Sequence, residues 1–120
     1  MPQITVDYSA SLDTVLDRRR FALELHPMTA ELIDTTAGNC RTRFRRVEET
    51  VVGDGAPGQA FVHVEMAILA GRSEPLKAEL AQAVADLLGK HTASAAELTV
   101  HASVEVRDLS AAYRKPRADA

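Results

Sequence analysis

The sequence has little of what secreted and membrane proteins use. Its one cysteine, Cys40, has no second cysteine with which to form an intrachain disulfide. The first residues are polar and acidic rather than a basic head followed by an apolar run, and no apolar stretch is long enough to span a bilayer. We therefore expect a reduced, cytoplasmic protein that is neither secreted nor inserted in a membrane.

A strong excess of charge of one sign is also lacking. The chain has 14 basic and 17 acidic residues, which give a net charge of -3. Such a chain has no general attraction for polyanions, so nucleic acid is not an expected partner. No spacing of cysteine and histidine resembles a zinc site, and we expect no metal.

What the sequence does have is the composition of an ordinary globular protein. It contains 120 residues, of which 46% are hydrophobic and 26% are charged. That length suits one hydrophobic core and is too short for two. We predict a single domain over residues 1–115, followed by a polar tail at residues 116–120.

Four stretches have the composition of strands. Residues 3–8 (QITVDY), 60–69 (AFVHVEMAIL) and 97–109 (ELTVHASVEVRDL) alternate apolar and polar residues, as half-buried strands do. Residues 41–52 (RTRFRRVEETVV) mix β-branched and aromatic residues with charges and precede the turn-rich GDGAPG. We predict a strand and a connecting loop there.

Two stretches between the strands have helical spacing. The first begins near Asp13, and we expect Pro27 to break or kink it, with a second turn of helix from Pro27 to Ile33. Its apolar stripe comprises Leu12, Val15, Leu16, Phe21 and Leu25. For the second helix we predict Ser73 as the N-cap and an end near Gly89. Its apolar stripe comprises Leu76, Leu80, Val84 and Leu87.

The predicted order is β-α-β-β-α-β, an α+β fold. Right-handed crossovers would place both helices on one face of a four-stranded sheet. The other face would carry polar but weakly charged side chains, including Thr5, His63, Glu65, Thr99, His101 and Ser103. That character fits either a wet subunit interface or simple exposure to solvent.

An ordered set of short segments carries a resemblance to a known family. The set comprises Pro2 at the head of a strand, Arg41-Thr42-Arg43, Phe61-Val62-His63-Val64, Ala70-Gly71-Arg72-Ser73 and Ser103-Val104-Glu105-Val106. In this order, over roughly residues 2–115, the sequence resembles 5-carboxymethyl-2-hydroxymuconate isomerase, of the tautomerase superfamily. The resemblance implies a homotrimer of β-α-β-β-α-β subunits, with no metal and no organic cofactor.

The resemblance also implies an activity and a set of site residues. Members of the family convert a 2-hydroxymuconate-type dienol, a carboxylated small molecule, into the isomeric unsaturated ketone during homoprotocatechuate breakdown. Carried over, Pro2 would be the base, and Arg41 and Arg72 would meet the anionic groups of the substrate. Arg43 and Tyr8 are further candidates for substrate binding.

The chemistry explains why a proline and arginines belong together. An ordinary α-amino group has a pKa of about 8, and a secondary amine is more basic. Burial beside Ile4 and nearby guanidinium charges would both disfavour the ammonium form of Pro2. The amine is basic only when Met1 is removed, because otherwise the Pro2 nitrogen is a tertiary amide.

Other interpretations of the same residues remain open at this point. Considered alone, Pro2 fits the first position of any strand, where a missing N–H does no harm. Arg45 and Arg46 fit surface ion pairs with acids such as Glu48 and Glu49. Two further functions are a tautomerase acting on a smaller α-keto acid, and a non-catalytic trimeric ligand-binding domain.

Overall fold

A four-stranded sheet with helices on one face forms the described part of the chain, residues 2–116 of a computed structural model. The strands are β1 (Gln3–Ser9), β2 (Arg41–Val47), β3 (Gln59–Ile68) and β4 (Thr99–Asp108), and the long helices are α1 (Arg18–Ile33) and α2 (Glu74–Thr92). Met1 and residues 117–120, most of the predicted polar tail, lie outside the described residues. The β-α-β-β-α-β order is the predicted one.

The sheet joins two β-α-β halves through its central strands. The strand order is β2-β1-β3-β4, with β1 parallel to β2 and β3 parallel to β4. The two central strands are antiparallel, and Gln3 pairs both with Arg41 of β2 and with Ala67 of β3. The starts of β1 and β2 therefore meet the ends of β3 and β4 at one edge of the sheet, which we call the Pro2 edge.

The hydrophobic core lies between the sheet and both helices. It contains fully buried side chains from β1 (Ile4, Val6), β3 (Val62, Val64, Met66), α1 (Phe21, Leu25) and α2 (Leu80, Val84, Leu88). The strand residues alternate with half-buried ones, as the sequence pattern predicted. Because side chains from both helices enter one cluster, both helices lie on the same face of the sheet.

The predicted start of the first helix is wrong. It begins at Arg18 rather than near Asp13, because the Asp17 carboxylate accepts a hydrogen bond from the Arg20 amide and caps the helix there. Pro27 does not break the helix, which continues to Ile33 as the predicted second turn does. Proline has no N–H, so the Leu23 carbonyl has no helical hydrogen-bond donor at Pro27. Both residues are exposed, so water can donate to that carbonyl instead.

The second helix begins where it was predicted to begin and extends beyond its predicted end. The Ser73 hydroxyl accepts a hydrogen bond from the Leu76 amide at 3.3 Å, which confirms the N-cap. The helix runs through Gly89 to Thr92, and the buried position is Leu88 rather than Leu87. None of the described helices is long and apolar enough to cross a membrane.

The outer face of the sheet is covered by polar side chains that bond to one another. Arg45 of β2 binds Asp7 of β1 at 2.6 Å, and Arg107 of β4 binds Glu65 of β3 at 2.9 Å. Further hydrogen bonds across the face join His63 to Ser103 and His101 to Gln59. The predicted polar face is therefore present, and its charges are largely neutralised within the chain.

We expect the core to be sensitive to truncation at Leu80. Leu80→Ala removes a fully buried side chain and should lower the free energy of unfolding by about 2 to 5 kcal/mol. Leu23→Ala, at an exposed position, is the matched control and should change it by less than about 0.5 kcal/mol. Urea unfolding followed by circular dichroism at one protein concentration measures both, and equal losses would contradict this core.

Candidate active site

Pro2 heads β1 at the Pro2 edge and is buried. Its carbonyl accepts a hydrogen bond from the Arg41 amide at 3.0 Å, which continues the parallel pairing of β1 with β2. The antiparallel register with β3 pairs Gln3 with Ala67, so Ile68 is the residue alongside Pro2. The structure thus brings Pro2 together with the first residue of β2 and the last residue of β3.

Arg72 lies at the same edge, in the turn between β3 and α2. Its guanidinium donates to the Leu69 carbonyl at 3.3 Å and to the Ile33 carbonyl, at the end of α1, at 2.8 Å. Gly71, with φ of +118°, lets the chain turn immediately before it, a conformation that residues with a side chain rarely adopt. Arg72 is therefore held between the end of β3 and the end of α1.

Arg41 begins β2 directly after a short 3-10 turn, Ala37–Asn39. Its side chain is exposed, and its guanidinium donates to the Gly38 carbonyl at 2.8 Å. The preceding residue, Cys40, is buried, and burial raises the pKa of its thiol more than the charge of Arg41 lowers it. Cys40 is thus a core residue, and it supplies no nucleophile to this edge.

Arg43 lies on the outer face, two residues further along β2. Its guanidinium donates to Gln3 Oε1 at 2.7 Å and to Thr5 Oγ1 at 3.4 Å. The Gln3 side chain in turn donates from Nε2 to the Tyr113 hydroxyl at 3.3 Å. Arg43 is therefore close to the Pro2 edge but occupies the face of the sheet opposite the helices.

Tyr113 is a residue near this edge that the sequence analysis missed. It begins the polar stretch YRKPRADA at the end of the chain, whose composition is typical of a loose tail. The chain after β4 is instead fixed to the sheet, because the Leu109 amide donates to the Ile68 carbonyl at 2.6 Å. The only signal in the sequence was a single aromatic residue among polar ones.

Tyr8 lies at the other end of β1, about 20 Å from Pro2 at the rise of an extended strand. Its hydroxyl donates to Asp13 at 3.0 Å, and the Arg18 guanidinium lies 5.3 Å from the ring centroid. Burial and the bond to Asp13 raise the pKa of the phenol. One chain does not bring Tyr8 and Pro2 together, so a shared pocket requires a second chain.

Arg45 and Arg46 form surface ion pairs, as predicted. The Arg45 guanidinium binds both carboxylate oxygens of Asp7 and holds the pKa of that carboxyl below its usual range. Arg46 contacts Glu48 at 3.2 Å and Asp13 at 3.5 Å. Both arginines are thus committed to carboxylates, whereas the Arg72 guanidinium donates to two backbone carbonyls.

Comparison with known proteins shows what the chain is similar to. The model of the 5-carboxymethyl-2-hydroxymuconate isomerase family matches residues 2–118. A search of the curated proteins gives no match. Among solved structures, a 5-carboxymethyl-2-hydroxymuconate isomerase from Deinococcus radiodurans R1 is 28% identical, with a TM-score of 0.83 over 95% of this chain and 88% of that chain.

Two more distant structures share the fold. A 5-carboxymethyl-2-hydroxymuconate delta-isomerase is 18% identical, with a TM-score of 0.82 over 98% of this chain and 89% of that chain. A fused 4-OT, described as a symmetric trimer, is also 18% identical, with a TM-score of 0.64 over 89% of this chain and 85% of that chain. The sheet and its two helices are thus those of the tautomerase fold.

Proposed function

Because the chain belongs to the 5-carboxymethyl-2-hydroxymuconate isomerase family, a family of tautomerase-type isomerases, we propose that it isomerises 5-carboxymethyl-2-hydroxymuconate-type dienols in homoprotocatechuate breakdown. The observation that carries this proposal is the meeting of Pro2, Arg41 and Arg72 at one edge of the sheet. A cytoplasmic location is part of the proposal, and the unpaired Cys40 supports it.

The proposed reaction moves one proton and needs no redox step. We include removal of Met1 in the proposal, because it makes the Pro2 nitrogen a secondary amine. That nitrogen takes the proton of the 2-hydroxyl group, and the electron pair of the O–H bond becomes part of the new ketone carbonyl. The double bonds of the dienol shift, and the distant carbon takes the proton back from the Pro2 ammonium. The product is the isomeric unsaturated ketone, and the amine is regenerated.

Pro2 must be neutral at the start of this cycle. An amine at a buried position is harder to protonate than the same amine in water, and nearby guanidinium groups oppose a second positive charge. When a carboxylated substrate binds, its negative charge offsets that of the arginines. The ammonium is then favoured until the proton reaches carbon, so the substrate itself assists the transfer.

The two arginines suit the binding of carboxylates. A guanidinium has five N–H donors, and the Arg72 side chain uses one on each of two carbonyls, which orients it and leaves others for a ligand. Arginine remains charged at any working pH and can bind a carboxylate through two parallel hydrogen bonds. We assign Arg72 and Arg41 to substrate carboxylates, with Arg43 as a further contact.

We include a homotrimer in the proposal. The 4-OT structure with this fold is described as a symmetric trimer, and the polar outer face suits a wet interface between sheets. Tyr8 is remote from Pro2 and only 3% exposed in its own chain, so the proposed pocket does not include it.

The first test of the proposal is the mass of the assembly. Light scattering coupled to size exclusion should give three times the 13.0 kDa chain mass, unchanged over a dilution series down to micromolar chain. A monomer at that concentration would contradict a pocket formed between subunits.

The second test separates specific arginine contacts from general electrostatics. A charge-assisted hydrogen bond contributes roughly 1.5 to 3 kcal/mol, so Arg41→Ala and Arg72→Ala should each lower kcat/KM by about ten- to a hundredfold. Arg45→Ala is the matched control, since its guanidinium is committed to Asp7, and should change kcat/KM by less than about threefold. The assay follows loss of the dienol chromophore, and equal losses in all three variants would argue against specific contacts.

The third test addresses the Pro2 nitrogen. Pro2→Ala leaves a primary amine in nearly the same place and should retain reduced activity. Extra residues before Pro2, verified as unprocessed by intact mass, turn the nitrogen into an amide that cannot accept a proton and should abolish isomerisation. The kcat/KM of the native protein should rise with pH through a single basic group, because the neutral amine is the active form. Native rates in the extended protein would exclude Pro2 as the base.

A further inference from the structure

Lys77 is a charged side chain buried in the apolar stripe of α2. It is one turn into the helix, and its side chain is only 9% exposed. Its ammonium lies 2.6 Å from Glu74 Oε1 and 3.2 Å from Asp108 Oδ1. The hydrogen bonds to Glu74 and Asp108 raise the pKa of Lys77, so it stays charged. A buried lysine needs such partners, and both are supplied by residues next to the Pro2 edge.

The two carboxylates belong to different elements. Glu74 is the first residue of α2, directly after the Ser73 N-cap. Asp108 is the last residue of β4 and lies in register with Ile68, the residue alongside Pro2. Lys77 therefore connects the end of the sheet to the first turn of α2.

Arg72 lies in the segment that joins Ile68, the strand partner of Asp108, to Glu74. This segment comprises residues 69–73, which we call the Arg72 turn. Leu69, Ala70 and Gly71 are exposed, so burial of their side chains holds little of this turn in place. The hydrogen bonds of Arg72 to the Leu69 and Ile33 carbonyls orient its guanidinium, and fixed ends of the turn keep it within reach of those carbonyls. The end of β3 fixes one, and the Lys77 bridge fixes the other.

We propose that Lys77 is a positioning residue for Arg72. It acts by bridging Asp108 and Glu74, and it does not touch the substrate. This inference rests on the proposed function, because it takes Arg72 to bind a substrate carboxylate. Loss of the bridge should weaken substrate binding in the ground state and the transition state alike, which raises KM more than it lowers kcat.

A purely electrostatic effect of Lys77 gives different expectations. Lys77→Met leaves two unpaired carboxylates near an anion site, which would also raise KM. Asp108→Asn separates the two explanations, because it removes a negative charge and weakens the bridge at once. Electrostatics alone predicts a lower KM for Asp108→Asn, whereas positioning predicts a higher one.

The kinetic experiment is a double-mutant cycle on Lys77 and Arg72. Lys77→Met should raise KM about tenfold with kcat within about threefold of native. In an Arg72→Ala background the same change should alter KM by less than twofold, because the group that it positions is absent. Lys77→Arg should restore most of the affinity, and Lys90→Met, an exposed lysine of the same helix, is the matched control.

Two kinetic outcomes would overturn the inference. One is an equal effect of Lys77→Met with and without Arg72, and the other is a lowered KM in Asp108→Asn. If Lys77→Met does not fold, the cycle is run with Asp108→Asn in its place. The proposed function does not depend on these outcomes. It stands as long as the native protein isomerises the dienol and Arg72→Ala lowers that activity.

Hydrogen exchange provides a test that does not depend on activity. The amides of Leu76 and Lys77, which donate to Ser73 at the end of the Arg72 turn, should exchange at least about tenfold faster in Lys77→Met, or in Asp108→Asn, than in the native protein or in Lys90→Met. Unchanged exchange would overturn the positioning role. A native protein without isomerase activity that still shows this acceleration would refute the proposed function and keep the structural role of the bridge.

Discussion

The antiparallel register between β1 and β3, in which Gln3 pairs with Ala67, is the constraint on which the rest of the molecule depends. It aligns the start of one β-α-β half with the end of the other, and so assembles the Pro2 edge from four strands. A slip of one residue would turn Ile4 and Val6 out of the core and bring Gln3 and Thr5 in. The buried alternation on both central strands therefore fixes the site as well as the core.

Positive charge is distributed unevenly over this framework. On the outer face, Arg45 and Arg107 are paired with carboxylates of the adjacent strand, which neutralises them. At the Pro2 edge, Arg72 is oriented by backbone carbonyls, which position a guanidinium without cancelling its charge. The same residue type thus joins strands on one surface and, in the proposed site, attracts an anion at another.

The strands and the second helix start could be predicted because their signals are local. The alternation along β3 and the hydrogen bond of the Ser73 hydroxyl each involve residues that are close together in the sequence. The limits of α1 were predicted less well, since the buried Leu12 and Leu16 extend the apolar stripe beyond the helix that follows them. The helix tolerates Pro27 because this residue is exposed, and its exposure depends on the tertiary structure.

The site was predictable in part for the same reason. Pro2, Arg41 and Arg72 were picked out by resemblance, and the topology brings them to one edge, although the sequence gives no distance between them. The burial of Lys77 and the approach of Tyr113 to Gln3 depend on partners distant in sequence, at the end of β4 and the start of β1. For Tyr8, alternation indicated a strand position but not which end of the sheet it would occupy.

The two halves have the same order of strand, helix and parallel strand, yet they cannot be chemically equivalent. β1 starts one residue after Pro2, whereas β3 starts at Gln59 in the middle of the chain, where the backbone nitrogen is an amide. In the proposed mechanism only the first half therefore supplies the base. The second half takes no part in proton transfer there, and its proposed contribution is the Arg72 cation and the scaffold that holds it.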